Sequence, residues 1–253
     1  MIKPLAAGLL LLLPSAARAQ PLQDEVQNEE QSGPKDAEEQ FQLGLKALRG
    51  DGQAEDDDAA MRWFRRAADQ KHPAATFYVG YLFAYGKGVD VDRDAALGWW
   101  FRAADLGYPA AQREVGSHYQ YADGEGNVKP DYARALSWYR RAAEQGDEQA
   151  MGALAGMYRD GEGLTSPDYK QAFQWDLKAA AKGLIPSFTE LGAAYEKGQG
   201  VEPDPVKAYA FYLRGKRGYD ERAKEPLERL ITRLSEKQVA RAEQLAQDPF
   251  ELP

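Results

Sequence analysis

Few residues of this chain could carry out catalysis or bind a metal ion. The sequence contains no cysteine and two histidines, His72 and His118, so a thiolate zinc site and a cysteine nucleophile are excluded. His118 follows Ser117, but neighbouring positions of a helix do not face each other, so the two cannot form a catalytic dyad. Among 40 acidic residues, no carboxylate pair stands out as that of a glycosidase. The sequence therefore predicts a protein that is not an enzyme and that binds no metal and no cofactor.

Two short motifs resemble the beginning of ligand-binding loops. Gly86-Lys87-Gly88 lacks the longer pattern of a phosphate loop. The Asp-x-Asp-x-Asp motif at 90–94 begins like a calcium loop, but Ala95 and Phe101 stand where that loop requires glycine and glutamate. Helix ends explain both motifs, because glycine tolerates the left-handed backbone just past a helix and aspartate caps the start of the next one.

The chain repeats itself with a period of 36 to 38 residues. The pattern Gly-x-Gly occurs five times, and a tryptophan four residues before an Ala-Ala pair occurs four times in phase with it. In the fifth copy Phe211 replaces the tryptophan, and Gly215-Lys216 replaces the alanines. Two markers with one period over five copies indicate a repeat protein. The structural signature of the repeat consists of Trp63, Trp99, Trp138 and Trp175, with the pairs Gly50/Gly52, Gly86/Gly88, Gly124/Gly126, Gly161/Gly163 and Gly198/Gly200.

Each copy predicts two antiparallel helices. The first helix ends at the Gly-x-Gly, and a glycine inside it, such as Gly80 or Gly116, costs about 0.5–1 kcal/mol relative to alanine. Its recurrence predicts that another helix approaches closely there. The second helix begins at an aspartate N-cap, as at Asp92, Asp131 and Asp204, and carries the tryptophan and the alanines on one face, which predicts tryptophans in the core. It ends near a glycine, which is Gly107, Gly146, Gly183 or Gly218.

Two stretches of the chain, from Leu191 to Val201 and from Ala133 to Gly146, resemble the Sel-one-like repeat, a relative of the tetratricopeptide repeat. The resemblance extends over 37–220. It implies an all-α fold, a right-handed α/α superhelix (solenoid) of five helix-turn-helix repeats with a concave surface lined mainly by the first helices. It also implies a scaffold that binds other proteins. Three copies depart from the pattern: the first has Ala47 in place of an aromatic residue, the third has two extra residues before Gly124, and the fifth has lost its alanine pair.

Several aromatic residues vary between the copies and are therefore candidates for function rather than for the repeated core. Tyr78, Tyr81, Tyr85 and Tyr121, together with His118, lie on predicted first helices. Tyrosine is enriched at protein-binding surfaces. These residues predict a partner-binding patch on the concave face of the second and third copies. The alternative is that one or two of them complete the core.

The two ends of the chain differ from the repeats. Residues 1–19 have a short apolar run, Leu5 to Leu13, and then Ala17-Arg18-Ala19, which is typical of a cleaved signal peptide; the run is too short to span a bilayer. Residues 20–36 predict a flexible acidic leader. Residues 221–253 predict capping helices and a tail, with a capping box that begins at Ser235. We therefore expect a periplasmic protein that has no stable membrane insertion after cleavage.

The formal net charge of −8 disfavours nucleic-acid binding, because it repels phosphate backbones. We expect a monomer whose partner is another protein or a peptide. The sequence predicts a non-enzymatic scaffold or regulator of the bacterial cell envelope that binds this partner through its concave face. Two alternatives remain open: a glycan-binding module in polysaccharide export, since tyrosines suit sugar stacking, and a hydrolase of cell-wall or β-lactam substrates. The hydrolase is implied by cysteine-rich relatives, whose paired cysteines this chain lacks.

Overall fold

The structure is a computed structural model that describes residues 33–51, 54–121 and 129–247. Within these ranges the regular elements are twelve α-helices and one 3-10 turn at Glu221–Ala223, with no strand. The helices are α1 (Ala37–Arg49), α2 (Asp57–Asp69), α3 (Pro73–Tyr85), α4 (Arg93–Asp105), α5 (Pro109–Tyr121), α6 (Tyr132–Glu144), α7 (Glu148–Asp160), α8 (Tyr169–Ala181), α9 (Ile185–Lys197), α10 (Pro205–Arg217), α11 (Lys224–Ile231) and α12 (Glu236–Leu245).

Successive helices pack in pairs, and the pairs stack. The first helices α1, α3, α5, α7 and α9 pack on the second helices α2, α4, α6, α8 and α10 of the same repeat, and each second helix also packs on the first helix of the next repeat. Neither helix of a pair buries its apolar face alone, so stacking forms the core. This arrangement confirms the predicted all-α solenoid of five helix pairs.

The recurring Gly-x-Gly closes the first helix and also allows close packing. Gly86 ends α3 in the left-handed conformation, with φ 65°, as predicted. The second glycine, Gly88, has φ 66°, and a Cβ placed on it would lie 2.8 Å from the carbonyl carbon of Asp57 at the start of α2. The second glycine therefore lets the loop touch the helix of the preceding repeat. The same left-handed backbone occurs at Gly50, Gly161, Gly163, Gly198 and Gly200. Gly52, Gly124 and Gly126 lie outside the described residues.

The predicted N-caps are confirmed. The carboxylates of Asp92 and Asp131 accept hydrogen bonds from the backbone N–H groups of Ala95 and Arg134, and Asp204 caps α10 in the same way. At the start of the array, Asp36 accepts from the N–H groups of Glu38 and Glu39. The last residue of the predicted leader, Asp36, is thus the N-cap of α1, whereas 1–32 lie outside the described residues.

In four repeats, an aromatic ring of the second helix packs directly against the glycine of the first helix. A Cβ placed on Gly80 would lie 2.7 Å from Cδ1 of Trp100, and one placed on Gly116 would lie 2.9 Å from Cδ1 of Tyr139. The close helix approach predicted from these glycines is confirmed. The corresponding contacts in the first and fifth repeats join Gly44 to Phe64 and Gly192 to Tyr212.

The signature tryptophans are less buried than the sequence predicts. Trp175 is buried, but Trp63, Trp99 and Trp138 are only half-buried. In the first three copies the residue that follows the tryptophan is the ring on the glycine, and it is buried for Phe64 and Tyr139 and half-buried for Trp100. The tryptophan instead lies under the cation three residues later, as where the guanidinium of Arg102 is 4.7 Å from the ring centre of Trp99. Trp99 and Trp138 still pack against the core from its edge, and their outer faces form the cation–π pairs.

The second helices of the last four copies end near the predicted glycines. Gly107, Gly146 and Gly183 have positive φ. Gly218 does not: its φ is −84°, and the left-handed residue is the next one, Tyr219, with φ 65°. The predicted end of α10 near Gly218 is confirmed, since Gly218 is its C-cap. The left-handed position falls on Tyr219 because the glycine stands one residue earlier, relative to the N-cap, than in the other copies.

The C-terminal helices pack on the last repeat. α11 and α12 both contact α10, and the predicted capping box of Ser235 and Gln238 begins α12. The guanidinium groups of Arg214 and Arg217 donate to the carbonyl oxygens of Leu245 and Ala246 at the end of α12. No helix in the described part of the chain is long and apolar enough to cross a bilayer.

Candidate functional site

Helix α3 is unusual because it carries no charged residue. One face is buried, with Val79, Gly80 and Leu82 in the core. A helix that is hydrophobic all round is normally buried all round, yet α3 ends at Tyr85, whose side chain is 65% exposed. An uncharged face of this helix is therefore left open to solvent or to a partner.

The aromatic rings of α3 form a row that runs from the core to the surface. The ring of Tyr78 stacks on Phe64 with ring centres 5.1 Å apart, and Tyr81 follows at 5.9 Å. Tyr85 lies 4.5 Å beyond Tyr81. Tyr78 and Tyr81 both pack against the core of the first two repeats, so each has a structural role and an accessible face. Tyr85 at the exposed end is therefore held by contact with Tyr81, because the inner rings of the row are packed against the core.

A groove of about 700 Å³ lies along this row, on the face formed by the first helices. We call it the aromatic groove. α1 supplies one wall, α3 the aromatic floor and α5 the other wall, while two loop residues close one end. The residues that line it are Leu48, Arg49, Glu55, Phe77, Tyr78, Tyr81, Tyr85, Lys87, Arg113 and Glu114.

Most of the charges in the aromatic groove are neutralised within the chain. The ammonium of Lys87 lies 3.4 Å from Glu55 and 3.5 Å from Asp57. Desolvation opposes its charge, but Asp57 and Glu55 together raise the pKa of Lys87 above its ordinary value. The guanidinium of Arg113 lies 2.7 Å from Glu114 and 3.4 Å from Asp147.

Arg49 differs from these groups. It is exposed at the end of α1, and within the described residues no hydrogen bond or ion pair engages it. It is therefore the cation of the aromatic groove that is available to a partner.

The structure brings together three of the five predicted site residues. Tyr78, Tyr81 and Tyr85 line the aromatic groove. Tyr121 occupies the helix position in α5 that Tyr85 has in α3 and is 67% exposed, but it is not part of the groove wall. His118 is half-buried and turns its ring toward Phe101 of α4, with ring centres 6.3 Å apart. Its partner-binding role therefore stays a prediction outside the groove.

A second polar cluster, which sequence reasoning missed, lies between the fourth and fifth repeats. Asp176 stands in the register where the other copies have the ring, and Ala155 stands where they have the glycine. Asp176 is 4% exposed and accepts a 2.5 Å hydrogen bond from Arg159. Burial raises its pKa to about 6, against the opposing effect of Arg159. The fourth copy departs from the repeat at both the ring position and the glycine position, and this double departure is the sequence signal that could have indicated the cluster.

The cluster around Asp176 extends into the cap of the array. Arg159 also pairs with Glu190 at 3.4 Å, and Glu190 pairs with Arg222 at 2.8 Å. Arg222 in turn pairs with Asp220 at 2.8 Å. These five groups alternate in sign and satisfy one another, beside a recess of about 320 Å³. The arrangement is that of a structural network that ties α7, α8 and α9 to the C-terminal turn.

The groups of the aromatic groove are suited to recognition. Its two carboxylates, Glu55 and Glu114, are engaged in ion pairs. Among the described residues, no three histidine, aspartate or glutamate side chains come together as a metal site. The groove therefore offers rings, an apolar wall at Leu48 and a free guanidinium, which can bind a side chain by burial, stacking and charge.

Comparison with known proteins agrees with this architecture. The family model of the Sel1 repeat matches residues 40–72, 73–108, 109–147, 148–184 and 189–218. No curated protein matches the chain.

Two solved structures are similar over most of the chain. One is c5321, described as a protective antigen present in uropathogenic Escherichia coli strains and displaying an SLR fold. It is 29% identical with a TM-score of 0.76, over 86% of this chain and 46% of its own. The chain thus spans less than half the length of c5321. The other is a Sel1 repeat protein from Oxalobacter formigenes, 28% identical with a TM-score of 0.72, over 92% of this chain and 96% of its own.

Proposed function

Because this chain belongs to the Sel1 repeat family, we propose that it is a non-enzymatic scaffold or regulator of the bacterial cell envelope that binds a protein partner through the aromatic groove. Sel1-repeat proteins are generally scaffolds for protein–protein interaction. The observation that carries the choice of site is the uncharged helix α3, whose row of tyrosines ends in the open groove.

The energetics of association favour this surface. Tyrosine gives a large contact area with few rotatable bonds, and residues of this type dominate the binding energy of many interfaces. Tyr78 and Tyr81 are already packed against the core, so little side-chain entropy remains to be lost when a partner binds. A preformed groove on stacked helices needs no folding step to become competent.

The proposed location follows from the first 19 residues, which have the pattern of a cleaved signal peptide. The lack of cysteine leaves no thiol to be oxidised outside the cytoplasm. A fusion of residues 1–36 to a reporter that is active only after export would be active in a bacterial host. Replacing Leu9 to Leu13 with polar residues should abolish that activity, and retained activity would refute the proposed export.

The binding function is tested by affinity capture from envelope extract, with the protein and its Tyr81→Ala/Tyr85→Ala variant side by side. We expect a partner that the wild type retains and the variant loses, followed by a measured Kd for the purified pair that rises at least tenfold in the variant. Tyr121→Ala is the matched comparison, because it removes an equally exposed ring at the same helix position of the next repeat. Equal affinity of wild type and the double variant for the captured partner would refute the groove as the site.

A further inference from the structure

We propose that the aromatic groove selects a peptide segment in which an aspartate or glutamate lies next to a large apolar side chain, and that Arg49 binds the carboxylate. This inference rests on the proposed function, since it names the chemistry of the partner that the groove would take. It follows from the balance of charges in the groove and from the position of Arg49 within it.

The charges that line the groove are matched except for one. Glu55 is engaged by Lys87, and Glu114 by Arg113, at 3.4 Å and 2.7 Å. A basic group on a partner would meet no free carboxylate there and would have to break one of these pairs. An acidic group would meet Arg49, which has no competing partner in the described residues. Complementary charge of this kind sets specificity more than overall affinity.

The groove carries no surplus of positive charge, so its selectivity depends on which cation is unpaired. Three cations and two carboxylates line it, and Asp57 and Asp147 pair with Lys87 and Arg113 from beside the lining, in a chain with a formal net charge of −8. At physiological salt, exposed charges more than about 8 Å apart are largely screened. The direct contact with Arg49 therefore decides whether the groove prefers an acidic or a basic group of the partner, and the distant acidic residues of the chain do not cancel that preference.

The neighbours of Arg49 define the second part of the ligand. Leu48 precedes it on α1 and also lines the groove, together with Tyr78 and Tyr81 of α3. A ligand carboxylate on Arg49 thus places the adjacent side chain against an apolar wall and an aromatic floor. The volume of about 700 Å³ is ample for one large apolar or aromatic side chain with its backbone.

The test uses three fluorescent peptides of equal length that have a central tryptophan flanked on both sides by aspartate, asparagine or lysine. Anisotropy titrations with the full chain give their affinities. We expect the aspartate peptide to bind about threefold to fivefold more tightly than the asparagine peptide, as for an exposed ion pair, and the lysine peptide to bind most weakly. In Arg49→Gln the difference between the aspartate and asparagine peptides should vanish.

Lys46→Gln is the matched control, because it removes a cation from the same helix, one turn earlier and outside the groove. It should leave the discrimination unchanged. Equal binding of the aspartate and asparagine peptides to the wild type would overturn the inference. So would discrimination that survives Arg49→Gln, or that is lost equally in Lys46→Gln.

The Tyr81→Ala/Tyr85→Ala variant separates this inference from the proposed function. If the variant loses all three peptides while Arg49→Gln keeps its preference for aspartate, the groove binds peptides but Arg49 does not read their charge. If no peptide binds the wild type, or if the variant binds them as well as the wild type does, the groove is not a peptide site and this inference is overturned, while the capture experiment decides the proposed function separately.

Discussion

Replacing Gly80 with alanine should destabilise the protein, whereas the same replacement at Gly98 should stabilise it. Both glycines lie inside helices, Gly80 in α3 and Gly98 in α4, so both variants gain the same helix propensity of about 1 kcal/mol. They differ in what the added methyl group meets. At Gly80 it would lie 2.7 Å from two atoms of the Trp100 ring and 3.0 Å from the carbonyl oxygen of Ala96, while at Gly98 nothing lies within 4 Å.

The magnitude follows from that difference. Overpacking of a filled core costs about 1–3 kcal/mol, and at Gly80 the propensity gain of about 1 kcal/mol offsets part of it. We expect the free energy of unfolding to fall by roughly 0–2 kcal/mol for Gly80→Ala and to rise by about 1 kcal/mol for Gly98→Ala. For a chain of this size, 1 kcal/mol corresponds to about 2–4 °C in Tm.

Urea unfolding followed by circular dichroism measures both variants. The midpoints should move in opposite directions, with unchanged m-values if the folded state stays compact. A double-mutant cycle of Gly80→Ala with Trp100→Ala should show coupling, because the smaller residue makes room for the methyl group. If Gly80→Ala were as stable as Gly98→Ala, the ring-on-glycine contact would not be the reason for the recurring glycine.

Three further predictions concern departures from the repeat. Asp176→Tyr should lower the free energy of unfolding when Ala155 is present. The second substitution Ala155→Gly should restore it, since tyrosine and glycine then stand where the other copies have the ring and the glycine. A double-mutant cycle in urea measures the coupling between the two substitutions. The pKa of Asp176, raised to about 6, lies above its unfolded value, so the folded state binds this proton more tightly and gains stability as the pH falls through 6 toward 4. The free energy of unfolding of the wild type should therefore rise by up to roughly 2 kcal/mol relative to Asp176→Asn over that range, and parallel pH profiles would contradict this. Tyr219→Gly should raise Tm, because a non-glycine residue with φ 65° costs about 1–2 kcal/mol, whereas Tyr219→Ala should leave Tm unchanged, since the side chain is 90% exposed.

The repeat made most of the fold predictable from the sequence. Glycine, aspartate and alanine recur in phase, and each has a local physical meaning: a left-handed helix end, an N-cap or a close helix contact. When these local signals recur with one period, few folds other than a stack of helix pairs are compatible with the sequence. The depth of the tryptophans in the core was not predictable, because periodicity shows that a residue faces the neighbouring helices and not how deeply it lies among them. Trp99 and Trp100 are adjacent, and only the structure shows which of them lies on Gly80.

The candidate site was predictable only in part, for the opposite reason. Tyr78, Tyr81 and Tyr85 stand out because they depart from the repeat, yet so does His118, which points toward α4 instead of the groove. Departure from a repeat shows that a position is free of the shared packing constraint, but it does not show which face the side chain takes.

Arg49 was missed because an arginine at the end of a helix is an ordinary capping residue by sequence. Its proposed role in binding depends on the pairing of the other two cations of the groove, Lys87 and Arg113, with carboxylates of the same chain. A groove on stacked repeats is assembled from side chains about 36 residues apart in the chain, and the charge that remains unmatched among them is a property of the assembly. For this architecture, the specificity of binding therefore has to be sought in unmatched groups across neighbouring repeats, and Arg49 beside the tyrosines of α3 is the instance that the aromatic groove presents.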